Sequence, residues 1–528
     1  MALLLALPML IVAASVLQPA GEAWRHIADT LLARYTLNTA LLVALVACGV
    51  MSIGVISAWL VATYRFPGVR VLEWALVLPL AVPAYVMAYA YTDWLQFTGP
   101  VQGALRALTG WGAREYWFPE IRSLGGAAVV LSLALYPYVY LIARAAFRDL
   151  PRSAIEAGRL AGYSAWGSFG RVALPLARPA VAAGTALALM ETLADFGTVS
   201  YFALEVFTTG IFKAWFGMGD ATAASQLATC LLGFVVLVVA LERVTRGRAA
   251  FHATAPAKPV PAQRLRGARA ALASLACALP VLMGFVLPAG ILVGLAASSP
   301  EARAEARLLA LVGNSFTLAG VTALAAVLLA VALAYAARLS KSRVAAAANR
   351  VAALGYAVPG AVIAVGVLVP LGRLDNWLAG ALEDLTGARV GLLFTGTIAA
   401  LVYALLVRFL AVALQTTEAG LARITPSMED AARSLGASPA AALARVHAPL
   451  LAPSLATAAL LVFVDVMKEL PATFALRPFN FDTLAVEAYH LAQDERLAEA
   501  AVPSLVIVAV GLVPLAALAR RYFQATRS

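Results

Sequence analysis

Apolar, uncharged runs of roughly 17–25 residues recur along this chain, and nothing else constrains its fold as tightly. A helix rises about 1.5 Å per residue, so each run can cross the ~30 Å hydrocarbon core of a bilayer. Twelve spans are predicted, at 2–17, 37–62, 74–95, 125–146, 178–202, 224–241, 273–296, 315–337, 351–371, 389–414, 452–476 and 502–519. The expected fold class is therefore an all-α polytopic membrane protein. Composition agrees: 62% of residues are apolar, 13% are charged, and mean hydropathy is +0.86. A soluble chain would carry roughly twice that share of charge. The opening run, "MALLLALPMLIVAASVLQPA", lacks the positive residues that begin a secretory signal, so it is read as a first membrane helix.

Basic residues concentrate in alternate loops. Arg65 and Arg70 follow the second span, Arg148, Arg152, Arg159 and Arg171 the fourth, and seven Lys and Arg residues fall in 242–272. Lys341, Arg343, Arg423, Arg433, Arg445 and the terminal Arg520, Arg521 and Arg527 continue the series, while acids such as Glu487, Asp494, Glu495 and Glu499 favour the other loops. Basic loops remain on the cytoplasmic side, so both termini are expected there. The net charge of +11 then reflects topology and contact with membrane lipid, and it calls for no nucleic acid.

A second feature is internal repetition. "EAGRLAGYSAWGSFGRVALPLARP" begins at Glu156 and "DAARSLGASPAAALARVHAPLLAP" at Asp430, matching at a constant offset of 274. Asn38 and Pro83 match Asn314 and Pro359 at an offset of 276. The chain therefore divides into two homologous six-helix halves in parallel repeat, 1–241 and 273–528, joined by a Pro- and Ala-rich cytoplasmic linker at 242–272. Each repeated motif sits in a cytoplasmic loop, 148–177 and 415–451. Within each, an acid and small residues begin a short helix, a glycine breaks it, and prolines start the next span.

Those motifs resemble the signature loop of binding-protein-dependent ABC importer permeases, and the resemblance covers both halves. It implies that Glu156, Ala157, Gly158, Gly162 and Pro175, with Asp430, Ala431, Ala432, Gly436 and Pro449, couple the spans to two separate ABC ATPase subunits. Gly158 stands where the family usually has Ala, and Asp430 where it has Glu. Glu429 offers a one-residue shift, but the spacing to the glycine and proline favours Asp430. No GxxxxGK[ST] phosphate loop occurs in this chain, so no cofactor is expected on it. ATP and Mg belong to the partner subunits, and the chain is not an enzyme in its own right. A secondary transporter would share twelve spans and a repeat, but it has no reason to keep two docking motifs.

Beyond each motif lie paired acids at the same offset: Glu191 and Asp195, then Asp465 and Glu469, the last beside Lys468. Spacing of four places each pair on one helix face. Glu191 lies about 18 Å along its helix from Pro179, a depth at which ionisable groups line a pathway or pair with one another. Both readings stand: an electronegative passage for a hard cation, or gating and structural pairs. No metal site is assigned.

The phrases "ETLADFGTVSYF", "FTTGIFKAWFGMGD" and "KELPATFALRPFNFDTLAVEAYHLAQDE" resemble bacterial ferric iron importer permeases of the fused, two-half type. That resemblance implies an inner-membrane location, a periplasmic binding protein docking on loops such as 203–223 and 477–501, and Tyr489 and His490 as candidate metal contacts. Thiamine is the alternative cargo for fused permeases, and polyamine, sulfate or molybdate for relatives with separate subunits.

Overall fold

The computed structural model describes residues 2–19, 21–112, 115–150, 158, 160, 162–246, 263–298, 305–340, 342–387 and 391–525. Among these the protein is mostly helical, and the one strand pairing is a two-residue parallel pairing of Tyr64–Arg65 with Gln263–Arg264. Ten helices are long and apolar enough to cross a membrane: α1 (Leu32–Thr63), α2 (Leu124–Arg148), α3 (Trp166–Ala194), α4 (Ala221–Thr245), α5 (Gly267–Ser298), α6 (Arg307–Ser340), α7 (Gly360–Thr386), α8 (Ile398–Leu421), α9 (Pro439–Met467) and α10 (Leu497–Ala516). Two further apolar helix pairs are bent, Leu3–Leu17 with Glu22–Thr30 and Val69–Ala81 with Ala84–Thr109. Counting each as one broken span gives twelve.

The breaks have local causes. Val82 precedes Pro83 and is held extended, and the chain bends by 93° between the flanking helices. The clash of a proline ring with the preceding residue excludes helix there. Val358 before Pro359 does the same, so the predicted span 351–371 is interrupted and α7 begins only at Gly360. The predicted spans 178–202 and 452–476 also stop early, at Ala194 and Met467.

The chain forms two compact units that cut across the repeat. The amino unit holds residues 30–209, 233–302 and 491–528, and the carboxyl unit holds 1–29, 210–232 and 303–490. Each takes its central spans from one half of the sequence and peripheral helices from the other. In the amino unit α1, α2 and α3 pack together; in the carboxyl unit their counterparts α6, α8 and α9 do. Around these nuclei, Leu287–Ser298 packs on Ala84–Leu95 and α10, while Ala2–Ala14 packs on α7.

Polar groups repeat along with the helices. Asn38 Nδ2 donates to the Glu205 carbonyl at 2.9 Å, and Asn314 Nδ2 to the Asp482 carbonyl at 3.0 Å. One residue on, Thr39 Oγ1 accepts from the Phe207 amide and Ser315 Oγ from the Leu484 amide. Each pair closes a loop carbonyl and amide that lipid could not satisfy. Between α1 and α2 the approach is close: a Cβ on Gly54 would lie 2.7 Å from the Val139 Cβ. Small residues allow such contact where dispersion, not water, drives helix association. Gly54→Leu is expected to cost about 1–3 kcal/mol or more through overpacking, read as a lower melting temperature in detergent. Gly294→Leu, where an added Cβ meets nothing within 4 Å, leaves it unchanged.

Candidate functional site

The second repeated motif folds as a short helix, Pro426–Ser434, entered through an extended Thr425 with proline at its first position. Gly436 closes it at φ +79°, with the Ala437 amide donating to the Ala432 carbonyl at 3.0 Å and the Gly436 amide to Arg433 at 2.9 Å. This two-bond closure needs a left-handed residue, which glycine adopts at least cost. The first motif repeats it: Gly162 has φ +80°, and the Tyr163 amide donates to the Gly158 carbonyl at 3.0 Å. Glu156 and Ala157 lie outside the described residues. Downstream, Pro175 and Pro449 each follow a single π-helical turn, Phe169–Ala173 and Leu443–His447. A proline has no N–H to continue the regular ladder, and the widened turn accommodates the loss.

The two faces of the motif differ. Gly158 and Ala432 are buried, and a Cβ on Gly158 would come within 3.1 Å of Val172 Cγ2. Smallness at this position therefore serves packing within the chain. Asp430 and Ala431 are exposed, as are Met428, Leu435 and Leu160. Glu429 turns inward, which leaves Asp430 as the outward acid.

Inward contacts anchor each motif, and they were not foreseen from the sequence. Arg338, at the end of α6, donates through Nε to Glu429 Oε2 at 3.1 Å, and through Nη1 and Nη2 to the Leu421 and Ile424 carbonyls at 2.6 and 2.8 Å. One turn earlier, the Tyr335 hydroxyl donates to the Pro439 carbonyl at 2.9 Å. Trp59 corresponds to Tyr335 in the repeat, and it packs on Phe147 and Phe169 instead, with ring centres 5.3 and 5.2 Å away. One motif is thus held by a guanidinium clamp and the other by aromatic packing. A lone arginine closing an apolar run was the available signal for Arg338.

The helices leading into the motifs are pinned by a second corresponding pair with reversed chemistry. Buried Glu73 pairs with Arg144 and Arg148 of α2, the latter at 2.7 Å. In the other half Asn349 occupies the Glu73 position and donates to Glu418, the counterpart of Arg144, at 2.9 Å.

The four acids do not share helix faces as their spacing suggested. Each helix stops between its two acids, because the second acid caps the helix that follows. Asp195 accepts from the Thr198 and Val199 amides at 3.1 Å and from the Thr198 hydroxyl at 3.0 Å. Glu469 accepts from the Ala472 and Thr473 amides at 2.8 Å, the Thr473 hydroxyl at 2.6 Å and Arg408 at 3.1 Å. A carboxylate at a helix start satisfies amides that have no partner within the helix. Asp465 pairs with Lys468 at 2.9 Å, and Glu191 is half-buried near the end of α3. Tyr489 is buried rather than exposed. It and His490 lie on the helix Leu484–Gln493 with their rings against Phe474. Among the described residues no group of three or more His, Cys, Asp or Glu side chains is placed to hold a metal ion.

Both motifs fall inside two segments, 51–248 and 326–527, that match the family described as binding-protein-dependent transport system inner membrane component. The chain belongs to this family. An inner membrane component of this kind is a multi-pass protein, in keeping with the ten to twelve apolar spans. The chain is 27% identical to the Fe(3+)-transport system permease protein FbpB 2 of Haemophilus influenzae, over 92% of its own length and 90% of that protein. It is 29% identical to the sulfate transport system permease protein CysT of Escherichia coli over 35% of this chain and 66% of that one. The molybdenum transport system permease protein ModB of Escherichia coli is 26% identical over 37% and 87%. Of these three, FbpB 2 alone aligns through both halves.

Two outcomes follow from the anchors of this inner membrane component. Arg338→Ala is expected to speed amide exchange in 426–434 by on the order of tenfold or more, since hydrogen bonds from a charged donor are lost; 343–352 serves as the unchanged reference. Arg144→Glu sets two carboxylates together in a buried site and should cost about 3–5 kcal/mol. Adding Glu73→Asn recreates the pair found in the other half, and most of the lost melting temperature should return.

Proposed function

We propose that the chain is the transmembrane permease of an ATP-driven importer of ferric iron. The carrying observation is the alignment with FbpB 2 through both halves, which the sulfate and molybdenum permeases match over only about a third of this chain. In this reading the basic loops and both termini are cytoplasmic. Two ATPase subunits, holding ATP and Mg, dock on the outward faces of the two motifs, where Leu160, Asp430, Ala431 and Leu435 are exposed. A periplasmic binding protein delivers iron to the opposite side.

The anchors support a lever role for the motifs. A short helix tied by Arg338 to the end of α6, and running through a single turn into α9, passes displacement to two core spans at once. Closure of the ATPases on ATP would turn the spans outward to receive iron, and hydrolysis would turn them back. Asp195 and Glu469 hold the helix breaks open in this cycle rather than binding the cargo. Glu191, half-buried near the end of α3, is the acid assigned to the path in this reading.

Uptake of radioactive ferric iron by iron-starved cells tests the proposal. Deletion of the gene should abolish it, and Gly162→Pro and Gly436→Pro should each reduce it at least about tenfold at normal membrane abundance, since proline cannot adopt a positive φ. Full uptake in the deletion strain, where no second iron system operates, would remove iron as the cargo. Full uptake by both proline variants would remove the lever.

A further inference from the structure

The amino unit carries a cleft of about 750 Å³ that the transport reading does not use. Arg65 and Arg70 line one side and Arg264 and Arg266 the other. All four side chains are exposed, and none has an ion-pair partner among the described residues. The nearest acid in sequence, Glu73, is buried against Arg144 and Arg148. Residues 247–262, which precede Gln263 in the sequence, contain no Asp or Glu.

The fold brings these charges together deliberately close. In the parallel pairing Tyr64 stands beside Gln263 and Arg65 beside Arg264, and the Leu265 amide donates to the Arg65 carbonyl at 2.9 Å. Ser274 Oγ adds a bond to the Pro67 carbonyl at 2.9 Å, fixing α5 to the loop after α1. Like charges on neighbouring strand positions repel, so an anion between them would offset that cost.

The cleft also lies at a boundary. Arg65 follows the last residues of α1, and Arg266 immediately precedes α5. Val71 lines it and is 70% exposed. From there Leu272, Leu275, Leu279, Leu282 and Val286 form an exposed apolar stripe along one face of α5. A phosphate-bearing ligand explains the arginines; the stripe beside them suits acyl chains and has no use for a free ion.

We propose that this cleft binds the phosphate headgroup of an anionic phospholipid, with its acyl chains along the exposed face of α5. The site braces the junction where the linker enters the second half, because both of its walls meet at the bridge between Arg65 and Arg264.

Native mass spectrometry of the full chain, purified in detergent and incubated with phosphatidylglycerol, phosphatidylcholine or glycerol 3-phosphate, tests it. The chain should retain phosphatidylglycerol in clear preference to phosphatidylcholine. Arg65→Gln with Arg264→Gln, and separately Arg70→Gln with Arg266→Gln, should each lower that retention about tenfold, at one elementary charge of attraction lost per arginine. Arg343→Gln with Arg350→Gln, an equal charge change elsewhere, should leave it unchanged. All three pairs must melt as the parent does, which the exposure of these side chains favours. Equal loss in the control pair, or no loss in either cleft pair, would overturn the site. Displacement by millimolar glycerol 3-phosphate would reassign it to a soluble phosphate. A chain that retains no phosphatidylglycerol would sink the lipid reading and leave an acidic protein surface as the ligand.

Discussion

A backbone amide inside a bilayer has no water to fall back on, and the architecture of this chain follows from that constraint. Unbroken helices meet it without help. Each place where the chain departs from a helix at depth must bring its own partners, and those are the places where polar residues occur. Asp195 and Glu469 cap the helices that restart after α3 and α9. Asn38 and Asn314 close loop carbonyls, and Thr39 and Ser315 close the amides beside them. At these breaks the carboxylates of Asp195 and Glu469 are thus spent on backbone amides.

The two halves support the same turn with different chemistry. Both motifs end in a left-handed glycine with the same closing hydrogen bond. Their anchors diverge: Arg338 and Tyr335 on one side, Trp59 with Phe147 and Phe169 on the other. The pair Glu73 and Arg144 becomes Asn349 and Glu418. Geometry is retained while the interactions behind it are replaced, which is expected where a turn's backbone conformation is demanding and its supports are interchangeable. The clamp at Arg338 joins three groups with directional bonds. The aromatic cluster at Trp59 relies on contact area and tolerates small shifts. The two anchors therefore differ in kind: directional hydrogen bonds in one half and ring packing in the other.

Much of this was legible in the sequence. Span count, repeat, proline positions and turn glycines depend on residues close together in the chain, and local sterics decide them. Gly162 and Gly436 announce a turn because other residues are strained at positive φ. The acids were misread as sharing helix faces because spacing arithmetic assumes that a helix continues. Where α3 and α9 stop depends on amides three and four residues further on, which claim the carboxylate. Tyr489 was expected as a metal contact in a docking loop, yet Phe474 and its own helix bury it.

By itself the sequence determined that the chain is helical, crosses the membrane repeatedly, contains one design twice and carries two equivalent turns, since hydrophobic length and backbone sterics act locally. Only the tertiary structure decided which helices share a unit. Apolar spans resemble one another, and composition holds no record of 1–29 joining 303–490, or of 233–302 and 491–528 joining 30–209. It also decided the partners of Arg338, 83 to 91 residues away along the chain, and the convergence of Arg65 with Arg264. Those contacts arise from packing across long separations, where complementarity of surfaces rather than any local pattern selects the neighbour.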